Sequence, residues 1–468
     1  MKIDKRKLIN KGFTIVELLV VIVVIGVLAA IIFVSYDGVS QQAIGASVKA
    51  DLTNAGNILK NYQLANGSFP TSLDSNKCPL QPVADLLNCL KSSPGNSLFY
   101  ASNGKYYNIS SYNSNGPVLY SADDNTSPVT RTNVLYPLSP STVDTGVSTR
   151  GMSISPDGTS VYSPSEGNDM VYMFSRNTLT GALTPMSTPM ISAQVSPQDA
   201  VVSPDGRSVY VVNTFSGTVS MYSRDMSTGL LTALSTPVST GAGAKAIAIS
   251  SDGMSVYTAN RGSNNVSMFS RDASTGILTP LATSVINAGT APYDITVSND
   301  GLSVYVANVD GNNVSMFSRN PATGALAAMG TPTIGAGSKP SGVAVSPDGM
   351  SVYVTNVNTV SMYDRNLSTG ALSAMTTPTI SSGTDSTGIV IAPDGTAVYV
   401  ANYNSSNISM YNRNILTGVL TASTSTTATV SHNDTYFPTY IIISPDGNSV
   451  YASSYIDYAS AILMFNRK

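Results

Sequence analysis

The chain has 468 residues, of which 42% are hydrophobic and 11% are charged. A charged fraction near half of the usual ~25% argues against a disordered acidic or basic protein. The formal net charge of −3 offers no basic surface for nucleic acid. One histidine, two cysteines and two glutamates leave few groups for metal or acid–base chemistry, so we expect neither a metal site nor a cofactor. The 25 tyrosines, 37 glycines and 25 prolines favour a β-rich, turn-rich fold.

The N-terminus carries a membrane-helix signal. Residues 13–34 form an apolar run of 22 residues with one charged residue, Glu17. As a helix, this run crosses a ~30 Å hydrocarbon core at ~1.5 Å per residue. The positive-inside rule predicts that residues 1–12 stay cytoplasmic and that the rest of the chain lies outside. The basic residues that precede the run are Lys2, Lys5, Arg6, Lys7 and Lys11.

The segment Lys11-Gly-Phe-Thr-Ile-Val-Glu17 resembles the cleavage and methylation site of type IV prepilins and pseudopilins. The resemblance implies that a prepilin peptidase cuts after Gly12, removes the leader 1–12 and methylates the new terminal amine of Phe13. It also implies that Glu17 pairs with the terminal amine of a neighbouring pilin subunit, because two charges in an apolar bundle must neutralise each other. The alternative is a plain membrane anchor with Glu17 near the interface.

Helical spacing continues beyond the apolar run. One amphipathic stripe consists of Ile44, Val48, Leu52, Ala55, Leu59 and Tyr62. We expect a long helix over 13–66 that is first apolar and then amphipathic, and that ends at a glycine before Pro70. The segment 66–73 resembles the one that ends the long helix in many pilins, which implies a small pilin-like α+β head.

Residues 67–120 should complete this head with short strands near 98–101, 105–109 and 117–120. Cys78 and Cys89 lie on the outer side of the membrane, where oxidation is allowed, and we expect them to form a disulfide. The polar, turn-prone residues 121–133 are expected to form a linker.

From residue 134 to 468 the sequence repeats with a period of about 48 residues. A Ser-Pro-Asp-Gly turn or a variant of it recurs, with its aspartate at Asp157, Asp205, Asp252, Asp300, Asp348, Asp394 and Asp446. Each unit then shows Val-Tyr, a Val-Ser-Met-Phe/Tyr-Ser-Arg segment and a Thr-Gly turn, which predicts four short strands. Four strands per unit in tandem is typical of an all-β propeller, here with seven blades.

The ends of the repeat region predict how the propeller closes. The last repeat has three strands, and an additional strand sequence, Val134–Leu138, precedes the first turn. One blade should therefore combine N- and C-terminal strands, which removes an exposed sheet edge. The region resembles the seven-bladed lactonase-like, or YVTN-type, propellers, and Tyr353-Val-Thr-Asn356 reproduces that tetrapeptide. The family includes lactonases, surface-layer proteins and binding proteins, so the resemblance implies the fold more strongly than the function.

Residues that recur in every unit are expected to be structural. The arginines after the third strands should tie neighbouring strands or loops through their fork of donors, and the repeated aspartates should form turns. The methionines of the third strands should pack inside the blades. These arginines are Arg176, Arg224, Arg271, Arg319, Arg365, Arg413 and Arg467.

Residues that vary between units fall in two loop sets on the face opposite the Asp-Gly and Thr-Gly turns. Loops on a rigid support usually carry recognition, and Tyr, Asn, Asp and Ser suit contacts to a surface glycan or protein. A solvated face without a ligand is the alternative. The candidate binding face comprises Asn168, Asp169, Phe215, Arg261, Tyr293, Asp310, Lys339, Tyr403, Asn404, Tyr436, Tyr455 and Asp457. The same loop sets include Gln198, Asp199, Asp294, Ser341 and Phe437.

Catalysis is the less favoured hypothesis, and no catalytic residue is assigned. The non-repeating charged candidates are expected to be scattered over different blades, and a lone histidine is a poor general base without a positioned partner. They are Arg150, Glu166, Lys245, Arg261, Lys339 and His432.

The sequence therefore predicts a minor type IV pilin-like protein that displays the propeller as an adhesion or interaction module. It would reside in the cytoplasmic membrane as a precursor and then on a pilus or the cell surface. The alternatives are a pseudopilin of a secretion or uptake system and a surface-displayed lactonase-like hydrolase.

Overall fold

The computed structural model of the chain describes residues 47–70, 72–73, 77–81, 84–85, 89–93, 96–102, 107–113, 119–123, 133–428, 436–455 and 460–467. The leader, Gly12, Phe13, Glu17 and the apolar run 13–34 lie outside these residues. Among the described residues, no helix combines the length and the apolar character that a membrane span needs.

The described part of the N-terminal helix, α1, covers residues 47–66. It ends at Gly67, which adopts a φ of 77° and donates its N–H to the carbonyl of Gln63 at 2.8 Å. Glycine takes this left-handed conformation without steric cost, which is why the helix stops there. Residues of the predicted stripe pack with Phe69, Leu90 and Ile109 in one small core. The buried stripe residues are Val48, Leu52, Ala55, Leu59 and Tyr62.

Short strands follow this helix and form two small antiparallel sheets. Cys78 and Cys89 form a disulfide bond. The Asp51 carboxylate of the helix accepts hydrogen bonds from the backbone N–H and the hydroxyl of Ser93, both at 2.8 Å, and so ties the helix to the following loop. The first sheet contains β1 (Ser72–Leu73) and β2 (Pro79–Gln81), and the second contains β3 (Asn96–Ser102), β4 (Tyr107–Asn113) and β5 (Leu119–Asp123).

The described residues between 133 and 467 form the predicted seven-bladed propeller, in which each blade is an antiparallel sheet. The strands before and within the first three blades are β6 (Leu135–Asp144); β7 (Ser153–Ile154), β8 (Ser160–Ser165), β9 (Met170–Arg176), β10 (Leu183–Ser192); β11 (Pro197–Val202), β12 (Ser208–Asn213), β13 (Thr218–Arg224), β14 (Leu231–Ala233), β15 (Val238–Ser239); β16 (Ala244–Ile249), β17 (Ser255–Asn260), β18 (Asn265–Arg271) and β19 (Leu278–Asn287).

The remaining four blades repeat the same order of strands. They contain β20 (Pro292–Val297), β21 (Ser303–Asn308), β22 (Asn313–Arg319), β23 (Leu326–Gly335); β24 (Gly342–Val345), β25 (Ser351–Thr355), β26 (Thr359–Arg365), β27 (Leu372–Ser381); β28 (Ser386–Ile391), β29 (Ala397–Asn402), β30 (Asn407–Arg413), β31 (Leu420–Ala428); β32 (Phe437–Ile443), β33 (Ser449–Tyr455) and β34 (Ala461–Arg467).

The seventh blade closes the ring as predicted. Its sheet has the order β32-β33-β34-β6, so the strand that precedes the first blade completes the last one. Strand β6 pairs with β34 from Leu135 opposite Arg467 to Asp144 opposite Ala461. The closing strand is longer than the sequence indicated, since it continues past Leu138 to Asp144.

Seven arginine–aspartate ion pairs connect successive blades, which confirms the predicted role of the repeated arginines. In one unit, Arg224 donates to Asp157 of the preceding blade and to the hydroxyl of Tyr162, both at 2.8 Å. Tyr162 in turn donates to the carbonyl of Gly229 at 2.6 Å. The pairs are Arg176–Asp446, Arg224–Asp157, Arg271–Asp205, Arg319–Asp252, Arg365–Asp300, Arg413–Asp348 and Arg467–Asp394. The face with the Asp-Gly turns therefore links every blade to the next through an ion pair.

Candidate functional site

Each inner strand begins near a pair of variable residues, seven and six positions before the aspartate of its Asp-Gly turn. In five blades the register with the next strand shifts beside this pair, which marks a β-bulge. A bulge places two residues opposite one and redirects their side chains. The pairs are Arg150-Gly151, Gln198-Asp199, Lys245-Ala246, Tyr293-Asp294, Ser341-Gly342, Thr387-Gly388 and Thr439-Tyr440.

These pairs meet at a cavity of about 250 Å³. Its basic and acidic residues alternate around the ring: the basic side chains come from the first, third and fifth blades, and the carboxyl groups come from the second, fourth and sixth. The seventh blade contributes Tyr440 instead. In blade order, the charged residues are Arg150, Asp199, Lys245, Asp294, Lys339 and Asp385.

Two of the cations are held by neighbouring polar groups. Arg150 donates through Nε to Glu166 at 3.1 Å, and Ser196 donates to the other Glu166 oxygen at 3.1 Å. Burial alone would raise the pKa of Glu166, but the Gln198 amide and the charges of Arg150 and Lys245 lower it. Lys245 donates to the Gln198 amide oxygen at 3.2 Å. Burial, together with the charge of Arg150, lowers the pKa of Lys245 to about 8.

Two of the carboxyl groups are held by backbone N–H groups. Asp199 accepts from Ala200 of its own strand and from Ile247 of the next blade, at 2.9 and 3.2 Å. Asp294 accepts in the same way from Ile295 and from Val343 of the next blade, at 2.9 and 2.8 Å.

Burial shifts the titration of both carboxyl groups toward neutral pH. Burial and the charge of Asp294 raise the pKa of Asp199 to about 8. Burial raises the pKa of Asp294 to about 6. The cavity can therefore exchange protons near neutral pH, and its cations can bind an anion. Among the described residues, no cluster of three or more His, Cys, Asp or Glu side chains could hold a metal ion.

Aromatic side chains form a rim beside the cavity on the sixth and seventh blades. The ring of Tyr403 lies 5.2 Å from that of Phe437 and 6.4 Å from that of Tyr455, measured between centroids. The guanidinium carbon of Arg150 stands 4.8 Å above the Tyr455 ring, within the range of a cation–π interaction. Arg150 thus belongs both to the cavity and to this aromatic rim.

The structure brings part of the predicted binding face to the cavity. Tyr293, Lys339 and Tyr403 line it. Asn404 donates to the cavity residue Asp385 at 3.3 Å. Tyr455 lies beneath Arg150, and the Arg261 guanidinium lies 6.0 Å from the Tyr293 ring. Tyr436 packs against the core of the last two blades.

The other predicted face residues do not line the cavity. Asn168 donates to the Tyr172 hydroxyl at 2.9 Å, and Asp169 accepts from the backbone of Ser196 at 2.8 Å, so both stabilise loops. Phe215 and Asp310 are exposed. Asp457 lies outside the described residues.

Arg150, Lys245 and Lys339 lie on different blades, as expected, but they line one cavity. Glu166 binds Arg150, while His432 lies outside the described residues. The reason is geometric, since a ring of blades brings the same repeat position of every unit to the axis. Sequence reasoning did not single out Asp385, Thr387, Thr439 or Tyr440. The sequence signal for these residues was their position at a fixed distance before the turn aspartate. At these positions the residue type differs from one repeat to the next.

The raised pKa of Asp199 predicts a pH effect on stability. An unfolded aspartate has a pKa near ~3.9, so between about pH 4 and about pH 8 only the folded state keeps the proton. The free energy of unfolding of the wild type should therefore fall as pH rises through this window. Asp199→Asn should lose the part of this decline that Asp199 contributes, at most about 1.4 kcal/mol per pH unit, and keep the smaller part that Asp294 contributes between about pH 4 and about pH 6.

Urea unfolding of the detergent-solubilised chain at several pH values, followed by tyrosine fluorescence, measures this difference. Asp205→Asn is the matched control, because the hydrogen bonds of Asp205 outweigh its burial and lower its pKa. The Asp205→Asn substitution should change the pH dependence of the free energy of unfolding below about pH 4. Parallel pH profiles for the wild type and Asp199→Asn would contradict a protonated Asp199 at neutral pH.

The N-terminus matches known sequences. Residues 9–33 match the prokaryotic N-terminal methylation motif, which confirms the predicted prepilin-like signal. Over 63 residues at this end, the chain is 37% identical to a type II secretion system core protein G of Klebsiella pneumoniae. That match covers 14% of this chain and 45% of the relative, so the chain spans less than half of that protein.

Several solved structures resemble the chain over about two thirds of its length. A proposed 6-phosphogluconolactonase of Bacteroides uniformis is 22% identical, with a TM-score of 0.53, 67% of this chain covered and 92% of that one. The periplasmic gluconolactonase of Pseudomonas aeruginosa is 18% identical, with a TM-score of 0.51 and coverage of 64% and 92%. The hydrazine synthase of Kuenenia stuttgartiensis is 19% identical, with a TM-score of 0.52 and coverage of 69% and 97%. At these identities the likeness indicates a shared fold.

The family model for the seven-bladed β-propeller lactonase matches residues 74–336 and 329–433, more than half of the chain. Together with the closed ring of seven blades, this match establishes the family. The chain belongs to the lactonase family of seven-bladed β-propellers and carries a prokaryotic N-terminal methylation motif.

Proposed function

We propose that the chain is a minor pilin-like subunit that displays its propeller at the cell surface as a recognition module. The observation that carries this proposal is the difference between the two faces of the propeller. Repeated ion pairs occupy the face with the Asp-Gly turns, whereas the residues that vary between blades converge on one cavity. A methylation motif at the N-terminus supports attachment to other pilin subunits after cleavage by a prepilin peptidase.

In this proposal the precursor resides in the cytoplasmic membrane, and the mature chain enters a pilus or stays at the cell surface. The size of the propeller favours a minor position in a filament. A domain of 335 residues (134–468) has a radius of gyration near 20 Å, hence a diameter of roughly 50 Å. A helix is only about 10–12 Å wide with its side chains. Such heads cannot pack at the spacing of such helices, so the subunit should be rare and close to the filament end.

Quantitative proteomics of sheared filaments tests this position. We expect the chain at a small fraction of the major pilin, and immunogold labelling of the propeller at filament tips. If the chain is the most abundant subunit, the minor-pilin proposal and the steric argument both fail. Labelling confined to the cell envelope, with loss of a secreted protein on deletion, would favour the pseudopilin alternative.

A surface-displayed lactonase is the second candidate function. The observation that favours it is that Lys245 and Asp199 lie at one cavity, both with a pKa of about 8, in the range that general acid–base catalysis uses. Turnover of a panel of lactones by the full-length protein, abolished in Lys245→Met, would establish it. Ligand binding without turnover would favour the recognition module.

A further inference from the structure

The aromatic rim and the cavity together define a more specific ligand class. The site holds a guanidinium group whose two terminal nitrogens bind none of the described residues, together with a stacking surface and several hydroxyl partners. The inference below rests on the proposed recognition function and identifies what that site recognises.

Arg150 is positioned to bind a planar anion. Its Nε donates to Glu166, and its guanidinium lies over the Tyr455 ring, so the group is fixed from two sides. No hydrogen bond or ion pair with a described residue engages its two terminal nitrogens, and its side chain is 35% exposed. Two parallel N–H donors match the two oxygens of a carboxylate. Lys245 is a second cation in the same cavity.

The charge balance of the cavity favours a ligand whose bound group carries a single negative charge. Asp199 keeps its proton at neutral pH, but Asp294 and Asp385 line the cavity and the Glu166 carboxylate pairs with Arg150. Three carboxyl groups therefore stand against the three cations, so a doubly charged phosphate would meet more repulsion than a carboxylate. Asp385, Thr387 and Thr439 offer hydrogen-bond partners for hydroxyl groups.

The aromatic rim supplies a flat apolar contact. Tyr403 lines the cavity and lies against Phe437 and Tyr455, and all three side chains remain partly exposed. A pyranose ring combines an apolar face with hydroxyl groups at its edge, so it can pack on an aromatic ring while its hydroxyl groups bind polar residues. This combination fits a sugar better than an aliphatic acid.

We propose that the cavity binds a uronic acid residue of an acidic glycan, with its carboxylate on Arg150 and its ring face on Tyr403. Binding of oligogalacturonate to the full-length protein in detergent tests the proposal, with the neutral oligosaccharide of the same length and a sulfated oligosaccharide as competitors. We expect oligogalacturonate to bind at least roughly tenfold more tightly than either competitor.

Two variants assign the contacts. Arg150→Gln should weaken oligogalacturonate binding roughly tenfold or more, because a charge-assisted bidentate contact is lost. Tyr403→Ala should weaken it roughly fivefold. Arg207→Gln is the matched control, since Arg207 is an exposed arginine beside an Asp-Gly turn on the opposite face, and it should bind like the wild type. An unchanged thermal transition in each variant ensures that folding is intact.

Equal affinity for the neutral oligosaccharide, preference for the sulfated one, or full binding by Arg150→Gln would overturn the proposal. Absence of oligogalacturonate binding would also overturn it. In that case, loss of target-surface binding by cells that produce Arg150→Gln would still support the recognition module with another ligand. If Arg150→Gln reduces neither oligogalacturonate binding nor the binding of cells to the target surface, both proposals are contradicted.

Discussion

Arg467→Met should reduce the free energy of unfolding of the propeller by roughly 3–5 kcal/mol. Arg467 lies on the last strand and forms an ion pair with Asp394 of the sixth blade at 2.8 Å, with both side chains 0% exposed. It also donates to Asn133 at 2.7 Å, just before the closing strand. Removal of the guanidinium leaves a carboxylate that is buried without its cation, which is costly in a medium of low dielectric constant.

The repeat offers a matched control for this effect. Arg319→Met removes the same side chain from the same position of another blade, but its partner Asp252 is 38% exposed. Water can solvate that carboxylate, so the loss of stability should be clearly smaller. Urea unfolding of both variants measures the difference, and Arg467→Met/Asp394→Asn should regain part of the loss. Equal losses for the two single variants would show that burial of the aspartate does not determine the cost.

Glu17→Ala should abolish entry into filaments while leaving cleavage intact. The residue lies in the methylation motif, and in the prepilin-like assembly proposed above its carboxylate neutralises a terminal amine inside an apolar bundle. Without it, the amine of Phe13 would be buried without a partner. Mass spectrometry of the membrane-bound variant should still find a methylated Phe13 at the N-terminus, whereas immunoblots of sheared filaments should not detect the chain.

Two variants accompany this experiment. Glu166→Gln, which changes the other glutamate of the chain, should be processed and incorporated normally, because Glu166 lies in the propeller. Gly12→Ala should accumulate as an uncleaved precursor, since the cleavage site is altered. Normal incorporation of Glu17→Ala would refute the assembly role, and a Gly12→Ala chain that begins at Phe13 would refute the cleavage site.

The propeller could be predicted from sequence because its local signals recur in register. The Asp-Gly turns, the repeated arginines and the additional strand before the first turn specify blade number, blade contacts and closure. The strands of the head were predicted near their positions in β3, β4 and β5, but without a repeat their bounds were uncertain by several residues.

The cavity was harder to predict, and the reason is local geometry. Side chains of a regular strand alternate between two faces, so Gln198 and Asp199 would be assigned to opposite sides. The bulge between Pro197 and Asp199 breaks that alternation. Which side chains face each other also depends on ring closure. Arg150 belongs to the first blade and Tyr455 to the seventh, and these two blades are far apart in sequence. Reading each unit separately therefore left the charged residues without partners.

The mixed seventh blade constrains how the protein is made. Arg467 binds Asn133 across a sequence separation of 334 residues, so the ring cannot close until the last strand of the propeller is available. If the chain crosses the membrane from its N-terminus onward, strand β6 emerges first and must wait for β34 with its hydrogen-bonding edge unpaired. Export and folding would then be coupled in time. A pause in translocation before residue 461 would leave a nearly complete but open ring exposed to aggregation and to envelope proteases.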